Sequence, residues 1–79
     1  MRELEIGKMY RHFKGNYYLV LDIASHSETS ETYVVYKALY GDNKTYIRPL
    51  EMFLEKADKT RPDNITGQEF RFERVDKIC

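Results

Sequence analysis

The chain has 79 residues, with 13 Lys plus Arg against 13 Asp plus Glu, seven tyrosines, four phenylalanines and no tryptophan. That length suits one domain, and a domain this small buries only about 60% of the surface its unfolded chain exposes, which favours a shallow surface site over a deep enclosed one. Zero formal net charge argues against bulk adhesion to nucleic acid or to an anionic membrane, and the lone Cys79 allows no internal disulfide.

Residues 7–13 read as a first strand, closed by the Lys14-Gly15-Asn16 turn. Residues 17–24, YYLVLDIA, form a second strand of strong β composition. The polar stretch ASHSETSETY follows. Ser and Thr hydroxyls bond nearby backbone, so it reads as a structured loop, with Ser25 and Glu28 matching a capping box. His26 is then the loop residue most free for another task. Residues 32–40 give a third strand, Gly41 to Lys44 a tight turn, and residues 45–48 a short fourth strand. Pro49 has no N–H for a ladder and suits the first turn of a helix. Leu50, Phe53, Leu54 and Ala57 follow at helical spacing, which predicts a short helix over 49–57, with Leu50, Met52 and Phe53 plugging the core. Residues 58–68 hold Pro62 and Gly67 and read as a mobile polar surface loop. Residues 70–75, FRFERV, are the last strand.

The expected fold is mainly β: a small five-stranded SH3-like barrel with one short helical segment before the last strand. An OB-like barrel ranks second, because it usually carries a longer helix. The whole chain, 1–79, is one domain, with its core in 7–57 and 70–75. No apolar run approaches the ~20 residues a membrane helix needs, and the MRELEIGK start lacks a signal-peptide apolar region. The expectation is a cytoplasmic protein.

Four blocks carry a resemblance. Tyr10 to Gly15, Ala24 to Thr29, Val34 to Gly41 and Arg48 to Phe53, in that order, resemble the motif blocks of the bacterial domain-of-unknown-function family numbered 1653; Phe70-Arg71-Phe72 resembles its closing strand. The resemblance covers about residues 7 to 75 and implies a small SH3-like barrel. Such sequences often carry a tryptophan before the Arg-Pro pair, where this chain has Tyr46. The resemblance implies no activity, catalytic residue or ligand.

The candidate site is a patch of His12, His26, Glu28, Tyr36 and Arg48 at one end of the barrel, between the 25–31 loop and the Arg48-Pro49 corner. Consecutive strands usually neighbour each other, which would bring the loop base, Tyr36 and Arg48 together. Arg48 then either pairs with Glu28 or is open to an anion. Arg11, His12 and Lys14 form a basic cluster that Arg48 and Arg71 can join, and tyrosines supply rings beside it. The favoured function is a non-enzymatic binding module for a peptide or protein partner. Single-stranded nucleic acid is an alternative; so is a small hydrolytic or metal-dependent enzyme using His12 and His26, a weaker reading because their spacing shows no ligand set or nucleophile arrangement. No catalytic residue, cofactor, metal or membrane partner is assigned, and the sequence leaves the oligomeric state open.

Overall fold

A computed structural model describes residues 3–75. Cys79 lies outside that range. Five strands form one antiparallel sheet in the order β4-β3-β2-β1-β5: β1 is Met9–His12, β2 Tyr17–Ser25, β3 Thr32–Ala38, β4 Thr45–Pro49 and β5 Phe72–Arg74. The single helix, α1, is Leu50–Phe53. Among the described residues no strand pairing joins β4 to β5, so the sheet is open and the expected barrel closure is not made by its ladders. No helix among these residues is long and apolar enough to cross a membrane.

The strands lie where β-branched and aromatic residues concentrate, as in YYLVLDIAS and TYVVYKA. Gly15 turns β1 into β2 at φ 102, a conformation a side chain rarely adopts. Gly41 and Asn43 do the same work between β3 and β4, at φ 57 and 55, and the Asn43 side chain donates to the Ala38 carbonyl. One face of the sheet carries the core: Tyr10, Val20, Val34, Tyr36 and Phe72, capped by Phe53. Phe53 stacks on Phe72 with ring centroids 4.1 Å apart.

A β-bulge interrupts the β2–β3 pairing between Val20 and Asp22. The extra residue shifts the alternation of β2. Beyond it, Ile23 rather than Asp22 lies opposite the core residue Val34.

The helix is shorter than the predicted 49–57. Pro49 closes β4 opposite Tyr33 and is the N-cap of α1, one residue before its first helical position. After Leu54 the chain becomes extended: Lys56 bridges Phe70, the Ala57 N–H donates to the Glu69 carbonyl, and the Arg71 N–H donates to the Glu55 carbonyl. That pairing competes with further helical turns. Phe53 is fully buried, and Leu50 and Leu54 pack against the core, but Met52 is 43% exposed. At about 100° per residue Met52 falls about 160° from both Leu50 and Leu54, on the solvent side.

The 58–68 segment lies against β1. The Phe13 carbonyl accepts from the Ile65 N–H. Asn64 and Gln68 are buried and act as backbone brackets: the Asn64 amide donates to the carbonyls of Asp58 and Gln68, and the Gln68 amide donates to those of Arg11 and Phe70.

Candidate functional site

The structure divides the five predicted site residues into two groups. His12, Tyr36 and Arg48 gather on the core-bearing face of the sheet; His26 and Glu28 sit at the β2–β3 hairpin tip. Thr32, the tip end of β3, is four residues from Tyr36, about 13 Å at strand rise. The His26 ring lies near Tyr33, at 6.3 Å between centroids, and Tyr33 points to the opposite face from Tyr36.

Nor is His26 the free residue of its loop. Its Nδ1 accepts the backbone N–H groups of Glu28 and Thr29 at 3.1 and 3.3 Å. The Ser30 N–H closes on the His26 carbonyl, and Ser30 takes φ 62. The tip is a structured turn, as expected, but the imidazole caps it where a Ser25–Glu28 box was predicted. Glu28 does not pair with Arg48 among the described residues.

Arg48 instead donates from Nε to the Tyr36 hydroxyl, at 3.2 Å. Its guanidinium carbon lies 5.8 Å from the centre of the Phe72 ring, within cation–π range. Register explains the pairing. Arg48 is opposite Val34 and Tyr46 opposite Tyr36, so Arg48 and Tyr46 share the core face. No described carboxylate forms an ion pair with Arg48, whereas Arg61 pairs with Asp63, Arg71 with Glu55 and Arg74 with Glu5. Of the expected basic cluster, Lys14 lies 3.8 Å from Asp63 and Arg11 lies over Tyr17, while Lys14, Arg48 and Arg71 stay close enough to His12 to act on its charge.

Beside Arg48 the tyrosines form a connected wall that single-sequence reading did not assemble. Tyr36 meets Tyr46 at 5.8 Å and Tyr18 at 5.4 Å between centroids. Tyr18 meets Tyr40 edge-on at 5.6 Å, and their hydroxyls lie 2.8 Å apart. Tyr46 and Tyr40 are 40% and 42% exposed, while Tyr36 is buried. Burial, the Tyr40 hydrogen bond and neighbouring tyrosines push the Tyr18 phenol above its ordinary range. Of this wall, Tyr40 and Tyr46 present surface to solvent, while the Tyr36 hydroxyl is engaged by Arg48 and the Tyr18 and Tyr40 hydroxyls by each other.

His12 forms the inner corner, edge-on to Phe72 at 4.9 Å and to Tyr18 at 6.3 Å. Burial, then the positive charges of Arg71, Arg48 and Lys14, lower its pKa to about 4. Its Nδ1 accepts the Lys14 N–H. His12 is thus neutral near pH 7, and Arg48 carries the charge of the patch. Neither histidine is hydrogen-bonded to a hydroxyl among the described residues, and no group of three or more His, Cys, Asp or Glu there is placed to hold a metal.

Comparison with known proteins agrees with this architecture. No curated protein matches the chain. A crystal structure of a DUF1653 protein from Bordetella bronchiseptica superimposes with a TM-score of 0.77 at 33% identity, over 100% of this chain and 96% of that one. The model of the family described as a protein of unknown function, DUF1653, matches residues 8–74, which include β1 through β5 and the whole tyrosine wall, and the chain accordingly belongs to the DUF1653 family.

Proposed function

We propose that this protein is a non-enzymatic binding module that takes a carboxylate-bearing peptide or protein segment onto the surface formed by Tyr18, Tyr36, Tyr40, Tyr46 and Arg48. The observation that carries the reading is Arg48: a half-buried guanidinium, held by Tyr36 and Phe72, with no described carboxylate paired to it. Desolvation strengthens a charge-assisted bond to an anion, and exposed tyrosines supply amphipathic contact area at low entropy cost. The zero net charge favours a short peptide over a nucleic-acid backbone. For the fold we propose an SH3-like barrel in which the Lys56–Phe70 bridge stands in for a closing ladder.

The test is selection from a displayed peptide library with the wild-type protein and Arg48→Ala. The reading expects enrichment of acidic peptides whose binding weakens at least tenfold in Arg48→Ala while the fold persists. Binding unaffected by Arg48→Ala, with lowered stability, would make Arg48 a structural residue and reject the site. Binding of single-stranded RNA that falls steeply with salt would move the function to nucleic acid.

A further inference from the structure

The β4 strand is an edge of the sheet, and its register fixes which backbone groups face outward. The Ala38 N–H donates to the Lys44 carbonyl, so Ala38 and Lys44 are a hydrogen-bonded pair. Antiparallel ladders alternate between bonded and non-bonded pairs. Tyr36–Tyr46 and Val34–Arg48 are therefore bonded, whereas Lys37–Thr45, Val35–Ile47 and Tyr33–Pro49 are not. The backbone groups of Thr45, Ile47 and Pro49 then point away from β3. Pro49 occupies an outward position, where its missing N–H breaks no ladder bond. Among the described residues no other backbone group bonds Thr45 or Ile47 on that side, and the Ile47 side chain is 64% exposed.

Unpaired edges invite another strand, and proteins usually guard them with charge, proline or cover. Here Pro49 guards one end only, and Arg48 turns its charge onto the core-bearing face. We infer that β4 captures its partner by strand addition: an extended peptide pairs antiparallel with Thr45–Pro49 and exchanges backbone hydrogen bonds with Ile47. This rests on the binding-module reading and names the form of the ligand.

Register sets the peptide's sequence class. The residue opposite Ile47 lies on the outer face beside an exposed aliphatic side chain, so it is apolar and not proline. The residue before it lies opposite Arg48 on the tyrosine-lined face, and charge complementarity makes it Asp or Glu. The residue after it lies opposite Tyr46, where an aromatic ring stacks. The motif is acid, aliphatic, aromatic. A second copy of the chain is a poorer occupant: pairing β4 with itself offers Arg48 a tyrosine and no carboxylate, and a five-residue edge falls well short of the ~800 Å² per partner of a stable interface.

The experiment uses capped peptides with a Glu-Val-Phe core, titrated into isotope-labelled protein and followed by amide shifts. The parent peptide is expected to shift the Thr45 and Ile47 amides, and N-methylation at its valine to weaken binding at least tenfold, because one backbone bond is deleted with the side chains kept. Replacing its Glu by Lys is expected to weaken it similarly. Equal binding of the parent and N-methyl peptides, both lost in Arg48→Ala, would overturn strand addition while leaving the side-chain patch standing. Thr45 and Ile47 shifts that follow protein concentration alone would assign the edge to a second copy and overturn the peptide. No binding at millimolar peptide would also overturn it.

Discussion

Phe53→Ala tests the packing that holds the site. Phe53 is fully buried. Its ring stacks on Phe72 at 4.1 Å and meets Tyr10 and Tyr36 edge-on at 5.4 and 5.3 Å. Truncating a buried phenylalanine costs about 3–5 kcal/mol, and three aromatic contacts place this one toward the upper end. A chain of 79 residues has about 4–12 kcal/mol of total stability at ~0.05–0.15 kcal/mol per residue. The variant should lose from about a third to all of its stability and be measurably more unfolded at 37 °C. Urea denaturation followed by circular dichroism reads this as a fall in midpoint at constant slope. The same substitution removes the support under Tyr36 and Phe72, the two groups that hold Arg48, so peptide binding by the folded fraction should weaken too. A loss below about 1 kcal/mol would show that the helix does not close the core and that the site does not rest on it.

Three further outcomes follow. His12 has a folded pKa of about 4 against the ordinary 6.5; between these values the unfolded chain binds a proton that the native state refuses, so stability falls as pH drops from about 6.5 to 4. The full shift corresponds to about 3 kcal/mol, and solvent screening of a half-exposed ring reduces it to about 1–2; His12→Phe should flatten that part of the pH–stability curve, and an unchanged slope would refute the origin. Gln68→Leu leaves the Arg11 and Phe70 carbonyls without their side-chain donor and should cost about 1–3 kcal/mol by thermal melt; a neutral result would mean that water replaces the amide. In a spectrophotometric tyrosine titration the Tyr18 phenol, raised by burial and by the Tyr40 hydroxyl, should ionise above the ordinary range, and Tyr40→Phe should bring it back toward the ordinary value, while the rise of Tyr33 from its bond to Glu31 stays.

Much of this architecture is legible in the residues. YYLVLDIA and TYVVYKALY announce strands through β-branched and aromatic composition, and Gly15 and Gly41 mark turns whose positive φ the structure displays. The site is less legible because it depends on register across strands. Arg48 meets Tyr36 rather than Glu28 because Ala38–Lys44 sets the β3–β4 ladder, and no local pattern announces that offset. The bulge at Val20/Asp22 likewise reverses the facing of distal β2 without a glycine to mark it. Asn64 and Gln68 read as solvated loop residues, yet they are buried because the neighbouring carbonyls need donors. His26 looks free in sequence because Ser and Thr are the usual backbone caps, and here an imidazole nitrogen takes that task.

The most direct test of the central claim is chemical-shift mapping of an acidic peptide on the wild-type protein. The account predicts perturbations at the Arg48 guanidinium, at the Tyr46 and Tyr36 rings and along the Thr45–Pro49 backbone, with the His26–Glu31 turn silent, and loss of all of them in Arg48→Ala at preserved fold. Perturbations confined to the His26–Glu31 turn, or binding that survives Arg48→Ala unchanged, would contradict it.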